Sequence, residues 1–228
     1  MSDGSTMTNA FAEQASTSAN QPAAGELAAL RQAGSAAFAR LGFPTTRDED
    51  WHYTSPSAIA DATFVVATDR AHSGAFDAAL LTPYLFGGTW PLLVFRNGRF
   101  APELSSRGAL PEGVRVFTLA EAAAEVPELF ARHVGNAVAA DRDGFSALNA
   151  AFAGEGTLIH VAKEMVSDTP IHLMHVTDAS GVDVMSHPRH VIVVERHAKA
   201  TVLESFIGLD DVRSFTNAVT EVYVEDGA

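Results

Sequence analysis

Residues 188–206 read PRHVIVVERHAKATVLESF, and they decide the structural class of the second half of the chain. Two runs rich in Val and Ile, over residues 189–195 and 200–207, lie on either side of the polar segment RHAKA. Runs of this length and composition predict β-strands, and the polar segment predicts the turn between them. No helical period fits between the two strands.

Three more strands of the same kind are predicted around this pair, over residues 157–162, 170–176 and 216–224. Polar or turn-forming segments separate all five strands. Short, regular strands without intervening helices are typical of a sandwich, a barrel or a parallel β-helix, and the strand pattern alone leaves these three open. The last strand has no following residues to cover its free edge. We therefore expect the 228 residues to be a piece of a longer chain.

The sequence before residue 156 is mixed and mainly helical. Apolar residues recur at helical spacing in GELAALRQAGSAAFARLGFP, in TLAEAAAEVPELFARHV and in DGFSALNAAFAG. The segment PLLVFRNGRF instead predicts a hairpin that turns at Asn97-Gly98. We predict a disordered tail over residues 1–24, a mixed, mainly helical N-terminal domain over 25–155, and a truncated strand domain over 156–228.

Composition narrows the classes of partner and cofactor. The formal net charge of −13 argues against nucleic acid or an anionic membrane as a partner. The chain has no cysteine, which excludes disulfides, thiolate nucleophiles and an iron–sulfur cluster held only by its own thiolates. The first residues lack the features of a signal peptide, and no apolar window approaches the roughly 20 residues of a membrane span. We expect a cytoplasmic protein.

Residues 45–54, TTRDEDWHYT, combine charge, aromatic rings and a histidine. The spacing of Thr46 and Glu49 predicts a capping box, in which each side chain bonds the other residue's backbone N–H. Acids in a first helical turn complement the positive end of the helix, and Trp51 can pack inward. The acids therefore have a structural explanation, and the alternative is a catalytic Asp/Glu cluster.

The histidines are the other candidates for chemistry. His172 and His175 lie three residues apart on one predicted strand, so they point to opposite faces and cannot bind one metal together. The alternative is a ladder of His160, His172 and His190 across adjacent strands. Nucleophile elbows, Walker A loops and dinucleotide fingerprints are all missing from the sequence. We predict no catalytic, cofactor-binding or metal-binding residue.

Several motifs nevertheless resemble those of one family in the same order. They are R-x-E-x-W-x-Y-T at Arg47–Thr54, LNAAF at residues 148–152, PIHL at 170–173 and the stretch 188–206. This ordered set resembles the SufB/SufD family of iron–sulfur cluster assembly proteins over roughly residues 26 to 224. The order of the motifs favours the SufD branch, with only the N-terminal half present.

The resemblance implies an α+β fold, in which a helical and mixed N-terminal region leads into the first rungs of a right-handed parallel β-helix. It implies a non-enzymatic scaffold subunit that pairs with SufB, while the ATPase SufC supplies ATP hydrolysis. A homodimer through the β-helix is the expected alternative pairing. The full complex would assemble the iron–sulfur cluster, with none bound by this part. The family's Cys and His positions for cluster assembly lie in the later half, so no site residue carries over.

Two other functions stay open on the sequence. One is a β-helix or barrel hydrolase or isomerase, which requires a cleft where Asp, Glu and His converge with perturbed pKa values. The other is an interaction module that docks partners through a sheet edge.

Overall fold

The structure is a computed structural model that describes residues 3–23, 25–67, 75–86, 88–108, 110–178, 182–209 and 213–228. The α-helices are α1 (Asp3–Ala19), α2 (Gly25–Leu41), α3 (Ser57–Ala60), α4 (Leu119–Glu125), α5 (Pro127–His133) and α6 (Gly144–Ala151). Short 3-10 helices span Glu49–Trp51, Ala78–Tyr84 and Pro102–Leu104.

The strands lie mainly in the second half of the chain. They are β1 (Val65–Val66), β2 (Leu92–Arg96), β3 (Arg99–Phe100), β4 (Val114–Thr118), β5 (Gly156–Val161), β6 (Ile171–Thr177), β7 (Val184–Ser186), β8 (Arg189–Val194), β9 (Val202–Gly208), β10 (Ser214–Thr216) and β11 (Val219–Val224). Within the described residues they form three sheets, ordered β11-β8-β5-β4, β3-β2-β6-β9 and β1-β7-β10. We call these the β8 sheet, the β6 sheet and the β7 sheet. From β5 onward, consecutive strands join the three sheets in turn.

The α+β class agrees with the prediction, but the prediction of a right-handed parallel β-helix is wrong. The described strands form separate sheets, and none of these closes or curls on itself. Two sheets are mixed, because β3 and β4 pair antiparallel with β2 and β5. The β-helix prediction failed for a physical reason, because runs of buried Val and Ile are typical of any strand covered on both faces. Such runs do not reveal how the sheets are arranged.

The described strands on the two sides of residue 156 pair with each other. β2 pairs with β6 in parallel, and β4 pairs with β5. The predicted hairpin is confirmed, with Asn97 and Gly98 at positive φ of 50° and 81° between β2 and β3. The predicted domain boundaries stay a prediction.

An apolar core fills the space between the β8 sheet and the β6 sheet. Every second residue of β8 from His190 onward faces this core, and so does every second residue of β6 from Ile171 onward. Its buried members include Leu93, Phe95, Ile159, Val161, Ile171, Leu173, Ile192 and Val194. β5 and β8 are buried at all six positions, because this core covers one face of the β8 sheet and helical residues cover the other.

The helices pack at one side of the sheets. Gly34 of α2 lets that helix approach α6, because a Cβ there would lie 2.3 Å from the backbone nitrogen of Ala151. The predicted tail contains α1, whose Phe11 and Ala15 are buried, and the rings of Phe11 and Phe43 are 4.9 Å apart. None of the described helices combines the length and the apolar character that crossing a membrane requires.

Candidate functional site

Two consecutive residues of β8 each belong to a different group of buried polar side chains. Arg189 and His190 are both fully buried, and their side chains leave opposite faces of the strand. Arg189 faces the helical side of the β8 sheet, and His190 faces the core between the β8 and β6 sheets. We call these two groups the arginine network and the histidine cluster.

The arginine network consists of Arg189, Glu221 and Asn149. Arg189 Nε donates to Glu221 Oε1 at 2.8 Å, and Arg189 Nη1 donates to Asn149 Oδ1 at 2.9 Å. The Glu221 carboxylate also accepts from the backbone N–H groups of Gly135, at 2.9 Å, and Ala137, at 2.8 Å. Each charge is thus paired and hydrogen-bonded, as a fully buried ion requires.

The histidine cluster consists of His175 on β6, His190 on β8 and Glu204 on β9. His175 Nε2 lies 3.0 Å from His190 Nε2. Glu204 Oε1 lies 3.6 Å from each of these two nitrogens. Three potential donor atoms, from strands of two sheets, therefore converge on one point.

Neighbouring side chains fix both imidazole rings. His175 is stacked between Phe95 and Phe206, at ring-centroid distances of 5.1 Å and 4.7 Å. His190 Nδ1 lies 2.9 Å from Thr157 Oγ1 and accepts from the Thr157 backbone N–H at 3.2 Å. Strand register explains both arrangements, because Phe95, His175 and Phe206 are direct neighbours across the β6 sheet. Thr157 and His190 are direct neighbours in the β8 sheet.

The electrostatics of the cluster favour neutral His190 and ionised Glu204. The pKa of His190 is lowered to about 3, chiefly by burial and also by the proximity of His175, while Glu204 opposes the shift. Burial alone would raise the pKa of Glu204, but its interactions with His175, His190 and Thr220 bring that pKa below its ordinary value. At 3.6 Å the contacts from Glu204 Oε1 to the two imidazole nitrogens are too long for ordinary hydrogen bonds.

Two atoms of the cluster have no hydrogen-bond partner although they are buried. They are Glu204 Oε1 and His175 Nδ1. Among the described residues, His175, His190 and Glu204 form the group of acids and histidines whose donor atoms lie close enough to hold a metal ion, all within 4.8 Å of one another. The arrangement can therefore bind a cation or share a proton.

The alternative of a ladder of His160, His172 and His190 is not formed. His160 Nε2 contacts Glu195 Oε1 at 2.8 Å, and His172 Nε2 contacts Ser205 Oγ at 2.9 Å, while His190 lies in the histidine cluster. His172 and His175 point to opposite faces of β6, and only His175 joins the cluster.

The residues singled out in TTRDEDWHYT form a surface turn. The capping box predicted for Thr46 and Glu49 is wrong, because Asp48 occupies the N-cap position of a single 3-10 turn and makes no capping side-chain bond. Its carboxylate instead accepts from the Thr45 backbone N–H at 2.7 Å. Trp51 packs on Phe145, with ring centroids 5.0 Å apart. Tyr53 is 97% exposed.

A cavity of about 720 Å³ lies beside α1 and is lined by Arg31, Asn97, Glu155, Phe152 and His187, among others. His187 is stacked on Phe152 at 4.5 Å, and burial lowers the pKa of His187 to about 3. No residue of the histidine cluster lines this cavity. The histidine cluster and the cavity are thus separate features.

Sequence reasoning missed the histidine cluster because its members are distant in sequence and belong to different sheets. The usable signal was the alternation along each strand, which places His175, His190 and Glu204 on inward-facing positions. Which inward positions meet depends on how the sheets face each other, and the strand pattern does not contain that information.

Family models match the chain in two consecutive segments. The model described as "SufBD protein N-terminal region" matches residues 1–173, and the one described as "SUF system FeS cluster assembly, SufBD core domain" matches residues 175–228.

Two curated relatives align with most of the chain. The "Iron-sulfur cluster assembly SufBD family protein slr0076" of Synechocystis is 29% identical over 206 residues, which cover 87% of this chain and 45% of the relative. The "Iron-sulfur cluster assembly protein SufD" of Escherichia coli K12 is 30% identical over 181 residues, which cover 78% of this chain and 39% of the relative. The chain therefore spans less than half the length of the relatives it matches.

Proposed function

The chain belongs to the SufBD family of iron–sulfur cluster assembly proteins, and from this premise we propose that it is a non-enzymatic scaffold subunit of the SUF complex. The observation that carries the proposal is the match of both family models, in order, over residues 1–173 and 175–228. In this role the subunit pairs with SufB, and the ATPase SufC supplies ATP hydrolysis. The iron–sulfur cluster is the cargo of the complex, and this cysteine-free chain binds none of it alone.

Exposed strand edges support pairing through the sheets. Within the described residues, β9, β10 and β11 each lie at the end of their sheet, where unpaired backbone groups can pair with a following segment of a longer protein or with another chain. Val222 and Val224 on β11 are 54% and 59% exposed, so this edge also presents apolar surface. Such an edge suits strand addition by a partner, either SufB or a second copy of this chain.

Co-purification tests the proposal. The affinity-tagged protein, extended to the length of its relatives, should co-elute with SufB and SufC from cells that express all three. The 228-residue chain should lose SufC, because the proposal places SufC binding in the part of the longer protein that follows residue 228. Failure of the extended protein to retain SufB would overturn the proposal, and retention of SufC by the 228-residue chain would contradict the part of it that places SufC binding beyond residue 228.

A matched pair of surface variants locates the contact. Val222→Lys places a charge on the β11 edge and should reduce SufB retention about tenfold or more, because a charged edge opposes strand addition. Leu80→Lys is the control, since Leu80 is 50% exposed and lies on the 3-10 helix Ala78–Tyr84 rather than on an edge strand. Equal retention by both variants would contradict pairing through β11.

A further inference from the structure

We propose that His175, His190 and Glu204 form a binding site for one divalent first-row transition-metal ion. The site is distinct from the cluster cargo, and the inference does not depend on pairing with SufB or SufC. It rests on the geometry of the three donor atoms, the type of donors, the fixed rings and the unpaired carboxylate oxygen.

The spacing of the donor atoms fits a single ion. The two Nε2 atoms are 3.0 Å apart, and Glu204 Oε1 is 3.6 Å from each. The point equidistant from three atoms so spaced lies about 2 Å from each, which matches the metal–nitrogen and metal–oxygen bonds of zinc sites. An ion at this point requires no rearrangement of the strands.

The donor set selects the class of ion. Two imidazoles and one carboxylate suit Zn²⁺ and Fe²⁺, which are often held by this combination with other positions open. Mg²⁺ and Ca²⁺ prefer oxygen ligands throughout. The site therefore favours a transition metal over the abundant hard cations.

The two imidazoles are held in place before any ion binds. Phe95 and Phe206 clamp the ring of His175, whose orientation depends on stacking because its Nδ1 has no partner. Thr157 Oγ1, at 2.9 Å, can accept the Nδ1 proton of His190, which leaves Nε2 free to bind the ion.

Ion binding changes the tautomer of His190. Without an ion, the Thr157 backbone N–H donates to Nδ1 of His190, so the ring proton lies on Nε2. With an ion on Nε2, the proton moves to Nδ1 and the Thr157 N–H loses this partner. This rearrangement opposes binding, while the ion offsets it by coordinating both imidazoles and neutralising the buried carboxylate.

Charge and access also suit a cation. Glu204 Oε1 has no hydrogen-bond partner although it is buried, and the carboxylate faces two nitrogens rather than a cationic side chain. The Glu204 side chain is 24% exposed, whereas His175 and His190 are 7% and 0% exposed. Within the described residues, the Glu204 side is therefore the more open side of the site.

Cobalt titration tests the site directly. Co²⁺ added to chelator-treated protein should give the ligand-field absorption of a low-coordinate site, saturating at one ion per chain. Zn²⁺ should displace it, and an equal concentration of Mg²⁺ should not. Absence of these bands in the unmutated protein, or equal displacement by Mg²⁺, would overturn the proposal.

Substitutions assign the ligands. Glu204→Gln removes the anionic donor without changing shape and should weaken Co²⁺ binding about 100-fold. His175→Phe fills the slot between Phe95 and Phe206 and should abolish binding, which provides a second variant if the first folds poorly. The matched control is Glu195→Gln, which alters a histidine–glutamate pair at His160 that has no second imidazole, and it should bind as the unmutated protein does. Unchanged affinity in Glu204→Gln would overturn the assignment, as would equal loss in Glu195→Gln.

Discussion

The arginine network and the histidine cluster begin at adjacent residues of β8, yet they differ in how completely their polar atoms are paired. Glu221 accepts hydrogen bonds on both oxygens, from a guanidinium and from backbone N–H groups. Glu204 accepts one, from Thr220 Oγ1 at 3.1 Å, and its other oxygen has no partner. A completed network stabilises the fold, whereas an incomplete one is where a ligand can add interactions.

The two groups also differ in where they lie. The arginine network connects β8 and β11 to α6 through Asn149, which donates to the carbonyls of Pro188 and Asn217 at 3.0 Å and 2.8 Å. The histidine cluster connects the β8 sheet to the β6 sheet at one end of their shared core. Two of the residues that carry the family resemblance, Asn149 and Arg189, are thus fold-stabilising residues. The comparison predicts that equivalent changes will have unequal effects in the two groups.

The largest effect is expected from breaking the arginine network. Arg189→Leu leaves the Glu221 carboxylate buried without its cationic partner, and removal of one member of a buried ion pair costs about 3–5 kcal/mol. Urea unfolding should show this loss as a lower midpoint with an unchanged slope. The control is Arg107→Leu, which breaks a pair with Glu121 whose side chains are 42% and 37% exposed. That change should cost less than about 1 kcal/mol, and a similar cost for both would contradict the comparison.

An intermediate effect is expected from the pH dependence of stability. The pKa of His190 is about 3 in the folded protein and near 6.5 when unfolded, so below pH 6.5 the unfolded chain binds a proton that the folded one does not. Its stabilising contribution is therefore present above pH 6.5 and is lost as the pH falls towards 3. The loss is about 1.4 kcal/mol per pH unit.

The variant that isolates this contribution is His190→Asn, whose side-chain oxygen can replace Nδ1 as the acceptor from Thr157. Between pH 7 and pH 5 in metal-free buffer, the unfolding free energy of the variant should fall less steeply with pH. The difference in slope from the unmutated protein should correspond to about one proton. His187→Asn should reduce the slope similarly, because burial also lowers the pKa of His187 to about 3. Parallel pH profiles for all three proteins would show that neither histidine is neutral in the folded state.

The sequence predicted the longer strands well and the arrangement of the sheets poorly. The five predicted strands correspond to β5, β6, β8, β9 and β11. Their ends agree with the prediction within two residues, except that β11 begins three residues later than predicted. β7 and β10 were missed because strands of three residues carry too little pattern to detect. The sheets depend on pairing between distant segments, such as β2 with β6, which local periodicity does not encode.

Two identical T-x-x-E patterns show that local sequence does not decide the structure of a single turn either. Thr118 and Glu121 form a true capping box at α4, with bonds of 3.1 Å and 2.7 Å. Thr46 and Glu49 do not, because a single 3-10 turn follows. α4 continues because Leu119 and Ala122 are buried on one face. Tertiary packing therefore decides which of two equal local signals forms a cap.

The smallest effect is expected from Glu204→Gln in the metal-free protein, and the same substitution at Glu221 is its natural comparison. At Glu221, a glutamine would turn an amide donor towards Arg189 or backbone N–H groups, so we expect a loss of about 2–4 kcal/mol. At Glu204, the amide can donate to a neighbouring imidazole nitrogen, and its oxygen can still accept from Thr220. The net change in unfolding free energy should be less than about 1 kcal/mol. Equal losses in urea unfolding would mean that the Glu204 carboxylate is as fully paired as that of Glu221, and the distinction between a structural network and an open ligand site would then fail.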